Sequence, residues 1–358
     1  MQSDIRRWVA DGLIDAATGE RLSSDVSRNP GRAISFGGVL GVMAAILLAA
    51  ALLLFISANW QDMPRQARVG GLFALIFAAY IGGAMLIQRG RPMFGEAFYL
   101  VGAAAFGGSI ALIGQMYHLS GDETQAVLIW CLGTLLAAVG LRSAILTNAA
   151  VVLAVAWMAM RAMDWDGKVG FPDAFLLLGA VIWAASYWTQ SVATRHLLLL
   201  SLILYAIILC FNGRLVMIGG VVAAVSAAVF LAAHFAPATV ERFARLGGPY
   251  PVYPFVGFLV GMGMLQIEAV DGYGSMVMLT LIVFAAIVAA LLLRGRQSQL
   301  MRWIAYAAFT VELVFLYTVL LGSMIDTAAL FLLTGAALAA AAVVIMRLER
   351  RFSAKGEA

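Results

Sequence analysis

The chain has 358 residues, of which 63% are hydrophobic and 12% are charged, and its formal net charge is +4 at pH 7. Soluble domains carry about 25% charged residues. These values exclude a water-soluble fold, because such a fold could not bury this much apolar surface. They predict an all-α, polytopic membrane protein whose small positive charge reflects membrane orientation and not nucleic-acid binding.

Twelve segments are apolar enough to cross a bilayer as helices, which takes about 20 residues each. In chain order they are 33–57, 68–87, 97–116, 126–141, 144–160, 173–189, 196–211, 215–234, 252–270, 273–293, 302–322 and 326–346. The fourth, fifth and seventh are short, so the prediction is about 12 transmembrane helices with a range of 10 to 12.

The positive charges give these helices an orientation. The sequence holds 23 Lys and Arg residues. With the N-terminus inside, only five of them fall in the outer segments: Arg65, Arg68, Arg161, Lys168 and Arg214. Because Lys and Arg accumulate on the cytoplasmic side of membrane proteins, this distribution predicts that both termini are cytoplasmic.

The same pattern divides the chain into five parts. They are a cytoplasmic amphipathic module (1–32), an eight-helix membrane region (33–234), a cytoplasmic loop (235–251), a four-helix membrane region (252–346) and a basic cytoplasmic tail (347–358). Short connections elsewhere predict that helices adjacent in sequence are antiparallel neighbours.

The polar N-terminal part predicts two short helices. Ser3 or Asp4 can cap the first and Gly12 can end it, and Asp15 can cap the second. Such a module either docks a partner protein or lies against the bundle or the lipid surface.

The stretch "ISANWQDMPRQARV" (56–69) predicts a turn at the outer interface. Asn59 can cap the first membrane helix, and the Trp60 ring suits the interface. Pro64 suits the first turn of the next helix, because its missing N–H costs nothing there. These roles explain the polar residues without a ligand.

Glu312 lies in the middle of the apolar segment "RWIAYAAFTVELVFLYTVLLG". A carboxylate at this depth costs several kcal/mol unless it is paired, hydrated or protonated. Such a residue indicates a proton relay, an ion ligand or a substrate contact. The alternative is a hydrogen bond to a neighbouring helix that serves packing alone.

Other polar residues lie near the outer ends of predicted helices. They are Gln266 and Glu268 in the ninth, and Gln115, Tyr117, His118 and Asp122 at the end of the third. If these ends converge, they form an outward cleft suited to a small ligand or an ion. The alternative is ordinary loop polarity with an aromatic belt. No metal site is predicted, because Ser120 and Gly121 indicate a turn that separates the potential ligands.

Small residues recur at the spacing of helix contacts, as in Ala103 with Gly107 and Gly257 with Gly261. Spacings of this kind bring helix backbones close together. They predict tight packing within the chain, and they leave open a homo-oligomer or a membrane partner.

Three motifs together resemble a known family. They are "W-x3-GLI" from Trp8 to Ile14, "SANW" (57–60) followed by Pro64, and "SIALIGQMYHLSGD" (109–122). In order and spacing they are similar to a family of bacterial polytopic membrane proteins catalogued as domain of unknown function 2157, over residues of about 5–150. The resemblance implies a multi-pass protein of the bacterial inner membrane. It supplies no catalytic residues, because the activity of that family is not established.

No nucleotide-binding, serine-hydrolase or zinc-protease motif is present, and we predict no cofactor and no nucleic-acid partner. The expected partners are the lipid bilayer and a small-molecule or ion substrate. The first hypothesis is a transporter or permease that uses Glu312. The second is a non-catalytic scaffold or sensor that acts through helix contacts and the N-terminal module. The third and weakest is an outer-face enzyme on a lipid-linked substrate, with Glu268, His118 and Asp122 as acid–base groups.

Overall fold

The computed structural model describes residues 12–28, 64–117, 122–163, 173–210, 215–247, 251–270, 272–295 and 298–322, together with isolated residues between 5 and 54. Within these residues all regular structure is α-helical. The helices are α1 (Ala16–Arg28), α2 (Arg65–Gln88), α3 (Pro92–Met116), α4 (Glu123–Leu141), α5 (Ala144–Met163), α6 (Ala174–Trp188), α7 (Val192–Cys210), α8 (Leu215–Phe235), α9 (Pro237–Ala244), α10 (Val252–Glu268), α11 (Tyr273–Arg294) and α12 (Gln299–Gly322).

Eight of these helices are long and apolar enough to cross a membrane: α2, α3, α4, α5, α7, α8, α11 and α12. The apolar helices α6 and α10 are shorter, with 15 and 17 residues. The prediction of a polytopic helical membrane protein is therefore confirmed. Ten of the predicted segments correspond to described helices. The segment 33–57 is represented only by isolated helical residues, and 326–346 and the tail 347–358 lie outside the described residues.

Three of the predicted segments were short, and the helices that contain them are longer than those apolar segments. Helices α4, α5 and α7 have 19, 20 and 19 residues. Polar residues at their ends continue the helix, as Glu123 does at the start of α4 and Arg161 does near the end of α5. Counting apolar residues alone misses such terminal turns.

The segment 235–251, expected to be a loop, contains helix α9. Pro237 occupies its first turn, where its fixed φ favours the helix. Arg245 follows the last helical residue with a φ of 47°, which is the left-handed conformation that ends many helices.

The chain divides into two compact units, Met1–Ala137 and Ala138–Ala358. In the first unit, α2 and α3 pack side by side because two glycines let their backbones approach. A Cβ atom on Gly83 would lie 2.8 Å from the carbonyl oxygen of Gly95, and one on Gly95 would lie 2.6 Å from that of Gly83. The rings of Tyr80 and Tyr99 pack near this contact, with centroids 6.1 Å apart.

The opposite face of α2 is apolar and uncovered within the described structure. Phe73, Phe77 and Ile81 follow one another at a spacing of four residues and are all exposed, whereas Leu72 and Ile76 are buried. A soluble helix would present polar residues on its outer face. An exposed apolar stripe of this kind is typical of a helix in an apolar environment.

The N-terminal residues form a small helical structure of their own. Gly12 has a φ of 69° after the helical residues Trp8 and Val9. The Asp15 carboxylate then accepts the backbone N–H of Thr18 at 3.2 Å, as an N-cap does. Hydrogen bonds from Thr18 hold the pKa of Asp15 below its usual value.

In the second unit, α10 packs against four helices, which are α7, α8, α11 and α12. Its contact with α8 is the closest. A Cβ atom on Gly261 would lie 2.6 Å from the backbone nitrogen of Ala223 and 2.8 Å from the carbonyl oxygen of Gly219. The predicted role of Gly257 and Gly261 in helix packing is thus confirmed, and their partner is α8.

We expect Gly261→Val to destabilise the protein by about 1–3 kcal/mol, because the new side chain would collide with the α8 backbone. The measurement is reversible unfolding in detergent followed by circular dichroism. Gly263→Val is the matched control, since a Cβ atom there meets nothing within 4 Å. Equal loss of stability in the two variants would contradict this account of the α8–α10 contact.

Candidate functional site

Three polar side chains from three helices meet inside the second unit. The side-chain amide of Gln266 on α10 donates to the Glu312 carboxyl on α12, and it also donates to the hydroxyl of Thr280 on α11 at 3.2 Å. The Thr280 hydroxyl also lies close to the Glu312 carboxyl. We call Gln266, Thr280 and Glu312 the polar triad.

The triad is enclosed by apolar packing. Gln266, Thr280 and Glu312 are 2%, 6% and 7% exposed. The four helices α8, α10, α11 and α12 share a core that contains Phe255, Met262, Val283, Ile287, Met301 and Ala305. Within the described residues, the hydrogen-bond partners of Glu312 are thus neutral groups and not a cation. A carboxyl group in such a place can take up and release a proton or bind a small cation.

The structure therefore brings together two residues that were predicted at different depths. Glu312 was expected at mid-membrane, and Gln266 was expected near the outer end of its helix. They meet because α10 is short. Its 17 residues span about 25 Å, so a residue near its end can lie at the depth of the middle of α12.

The remaining predicted site residues lie elsewhere. Gln115, Tyr117, Glu268 and Pro64 are exposed. Asp122 accepts the backbone N–H of Thr124 at 2.9 Å, at the start of α4. His118, Asn59 and Trp60 lie outside the described residues. Of the predicted site residues, Gln266 and Glu312 are the pair that the described structure places in contact.

Thr280 was not singled out from the sequence, because threonine is common in membrane helices and carries no charge. A signal was nevertheless present. Gln266 lies six residues before Gly272 and Thr280 lies eight residues after it, and residues at similar distances from the turn of a helical hairpin lie at similar depth.

A second polar cluster was also missed, around Arg195 near the start of α7. Its guanidinium donates to the hydroxyl of Ser186 at 3.1 Å and to the carbonyl oxygens of Ala244 and Arg245 beyond it. The sequence identified Arg195 only as one more positive charge. Its role depends on α9, which was not predicted.

Next to Arg195, buried hydroxyls connect α5, the end of α6 and the start of α7. The Asn148 side-chain oxygen accepts from Ser191 at 3.0 Å and from Thr194 at 2.7 Å. Thr147 donates to Thr189 at 2.9 Å. Each hydroxyl has a partner, so this network fixes three helix ends and is a structural element.

Within the described residues, no group of three His, Cys, Asp or Glu side chains could hold a metal ion. The triad offers one carboxylate, one amide and one hydroxyl, and oxygen donors of this kind suit a hard cation better than a soft metal ion.

No curated protein and no solved structure matches the chain. A family model does match, over residues 6–147, and its description is "Predicted membrane protein (DUF2157)". The match spans α1 to α4 and ends in the first turn of α5, before the triad. The resemblance carried by the Trp8, "SANW" and "SIALIGQMYHLSGD" motifs is therefore confirmed, and residues 6–147 are similar to this family of predicted membrane proteins.

Proposed function

We propose that this protein is a membrane transporter or permease in which Glu312 binds and releases the coupling proton or cation. The observation that carries the proposal is the polar triad. In the triad, the Glu312 carboxyl from the middle of α12 lies against two neutral groups from neighbouring helices. Ionisable residues inside membrane bundles are costly, and they usually mark ion or substrate pathways.

The arrangement of helices supports this proposal. Each member of the triad comes from a different helix, so a change in the charge of Glu312 acts on α10, α11 and α12 at once. Adding or removing a proton changes what the carboxyl can donate or accept. Such a change would bias the packing of the three helices, which a transport cycle requires.

The test begins with hydrophobic carbodiimide labelling of the purified chain in lipid over a pH series, mapped by peptide mass spectrometry. Carbodiimides modify protonated carboxyls that can be reached from the membrane. We expect modification at Glu312 that decreases as pH rises and is absent in Glu312→Gln. A folded protein that stays unmodified at Glu312 at every pH would overturn the proposal.

Proton flux is the second measurement. Vesicles with an enclosed pH-sensitive dye, an outward potassium gradient and a potassium ionophore should acidify faster with wild-type protein than with Glu312→Gln. Glu268→Gln is the matched control, because Glu268 is exposed near the end of α10. Equal proton flux in wild type and Glu312→Gln would show that Glu312 does not carry a coupling proton.

We further propose that the protein lies in the bacterial inner membrane with both termini in the cytoplasm. The distribution of Lys and Arg supports this orientation. Cysteine accessibility at Arg89→Cys, in the turn between α2 and α3, tests it. That position should react with membrane-impermeant reagents only from the cytoplasmic side.

The second candidate function is a scaffold or sensor, and the N-terminal residues favour it. Trp8, Leu13 and Leu22 are large apolar side chains, and each is exposed. A partner or the membrane surface could cover them. A scaffold should tolerate Glu312→Gln and lose its function when residues 1–30 are deleted, which is the reverse of the pattern expected for a transporter.

A further inference from the structure

Helix α9 lies at the boundary of the membrane region. The membrane-spanning helix α8 ends at Phe235, and α9 begins two residues later at Pro237. Ala236, between them, has a φ of −130° and a ψ of 56°, so the chain turns there instead of continuing the helix. The position of α9 at the end of a spanning helix follows directly from this connection.

Contacts from α6 and α7 hold the end of α9 in place. The Tyr187 hydroxyl donates to the carbonyl oxygen of Phe243, and Arg195 donates to those of Ala244 and Arg245. Glu241 accepts the backbone N–H of Gly247 at 2.8 Å. The last carbonyl groups of a helix usually lack hydrogen-bond donors within the helix. Here Tyr187 on α6 and Arg195 on α7 provide those donors.

The fixed helix exposes apolar and basic side chains together. Phe235 and Phe243 are 78% and 75% exposed, and no residue of α9 is buried. Arg242 is exposed beside Phe243. Glu241 is the acidic residue of α9; it is half-buried and accepts the backbone N–H of Gly247, whereas the exposed charged residue of α9 is Arg242.

The last turn of α6 links further arginines to this region. The Arg142 guanidinium lies 4.0 Å from the centre of the Trp188 ring, and that of Arg245 lies 5.4 Å from the centre of the Tyr187 ring. Trp188 is half-exposed, and its indole N–H donates to the carbonyl oxygen of Val139. We define the α9 patch as Arg142, Trp188, Phe235, Arg242, Phe243 and Arg245.

We propose that the α9 patch binds anionic phospholipids, with the arginines at the phosphate groups and the phenylalanines among the upper acyl chains. At a membrane boundary, arginines attract the negatively charged lipid headgroups and aromatic side chains insert among the upper acyl chains. The proposal concerns a different part of the molecule from the polar triad and does not depend on transport.

The test is native mass spectrometry of the full-length protein released from nanodiscs that contain equal amounts of phosphatidylglycerol and phosphatidylcholine. Wild type should retain phosphatidylglycerol preferentially. Each arginine near an anionic surface contributes about five-fold to binding, so Arg142→Gln/Arg242→Gln should lower that preference by roughly 25-fold. Arg21→Gln, which removes one positive charge from the exposed surface of α1, should leave it unchanged.

Hydrogen exchange gives an independent measurement. Amides of residues 237–247 should exchange several-fold more slowly in phosphatidylglycerol nanodiscs than in phosphatidylcholine nanodiscs, and Phe243→Ser should reduce the difference. Circular dichroism of each variant verifies that it is folded. If wild type shows no preference for phosphatidylglycerol, or if the folded double variant keeps the full preference, the proposal is wrong.

Discussion

Replacing Gln266 with leucine is expected to lower the free energy of unfolding by about 1–3 kcal/mol, because the buried Glu312 carboxyl would lose its amide donor. Leucine occupies a similar volume, so the change removes hydrogen bonds and leaves little cavity. Hydrogen bonds between membrane helices average only about 0.6 kcal/mol. The higher range applies here because Gln266 serves two partners at once.

A double-mutant cycle separates this effect from a general loss of packing. Glu312→Leu removes the carboxyl, and Gln266→Leu/Glu312→Leu removes both partners. Because replacing both partners of a buried hydrogen bond can be nearly neutral, the double variant should be more stable than the sum of the single changes predicts. The difference should be about 0.5 kcal/mol or more.

The measurement is reversible unfolding in mixed micelles with increasing sodium dodecyl sulfate, followed by circular dichroism. Gln115→Leu is the matched control, because Gln115 is exposed on α3 and should change stability by less than about 0.5 kcal/mol. Additive single-variant effects would mean that the contact between Gln266 and Glu312 carries no stability.

Much of the fold could be predicted from the sequence, because a long apolar segment in a bilayer must satisfy its own backbone hydrogen bonds. Each such segment must form a helix, since the backbone has no other partners there. The ten described apolar helices follow from this rule alone. Their exact ends do not, because residues such as Glu123 and Arg161 can either continue a helix or begin a loop.

The site was only half predictable. Glu312 was identifiable because a carboxyl inside an apolar segment is costly wherever its helix packs. Its partners depend on which helices are neighbours, which the sequence does not state. The glycines that bring α8 against α10 and the short length of α10 together set the depth of Gln266. Thr280 then completes the triad from the next helix.

Helix α9 was missed for a different physical reason. Its eight residues are too few to form a stable helix alone, and with Glu241 and Arg242 among them they are too short an apolar run to be predicted as a membrane span. What stabilises the helix lies outside it, in the hydrogen bonds from Tyr187 and Arg195 to its last carbonyls. Arg195 is therefore expected to be the residue on which α9 depends most.

Replacing Arg195 with methionine should release the end of α9. The variant loses hydrogen bonds to two carbonyl oxygens of this segment and to Ser186, and hydrogen bonds to charged groups contribute about 1.5–3 kcal/mol each. We expect local opening to become easier by about 3 kcal/mol. Since 1.4 kcal/mol corresponds to a factor of ten, amides of residues 240–247 should exchange about 100-fold faster.

Hydrogen exchange of the full chain in a zwitterionic detergent is the measurement, because anionic lipid is then absent and only protein contacts hold α9. Arg195→Lys keeps the charge but lacks the forked geometry of the guanidinium, so it should restore part of the protection. Tyr187→Phe removes one hydrogen bond and should accelerate exchange less, by about ten-fold. Arg242→Met should have no effect, because the exposed Arg242 holds no part of this contact. If Arg195→Met leaves exchange in 240–247 unchanged while the rest of the protein is folded, α9 is held by something other than Arg195, and the turn at Ala236 becomes the better explanation for its position.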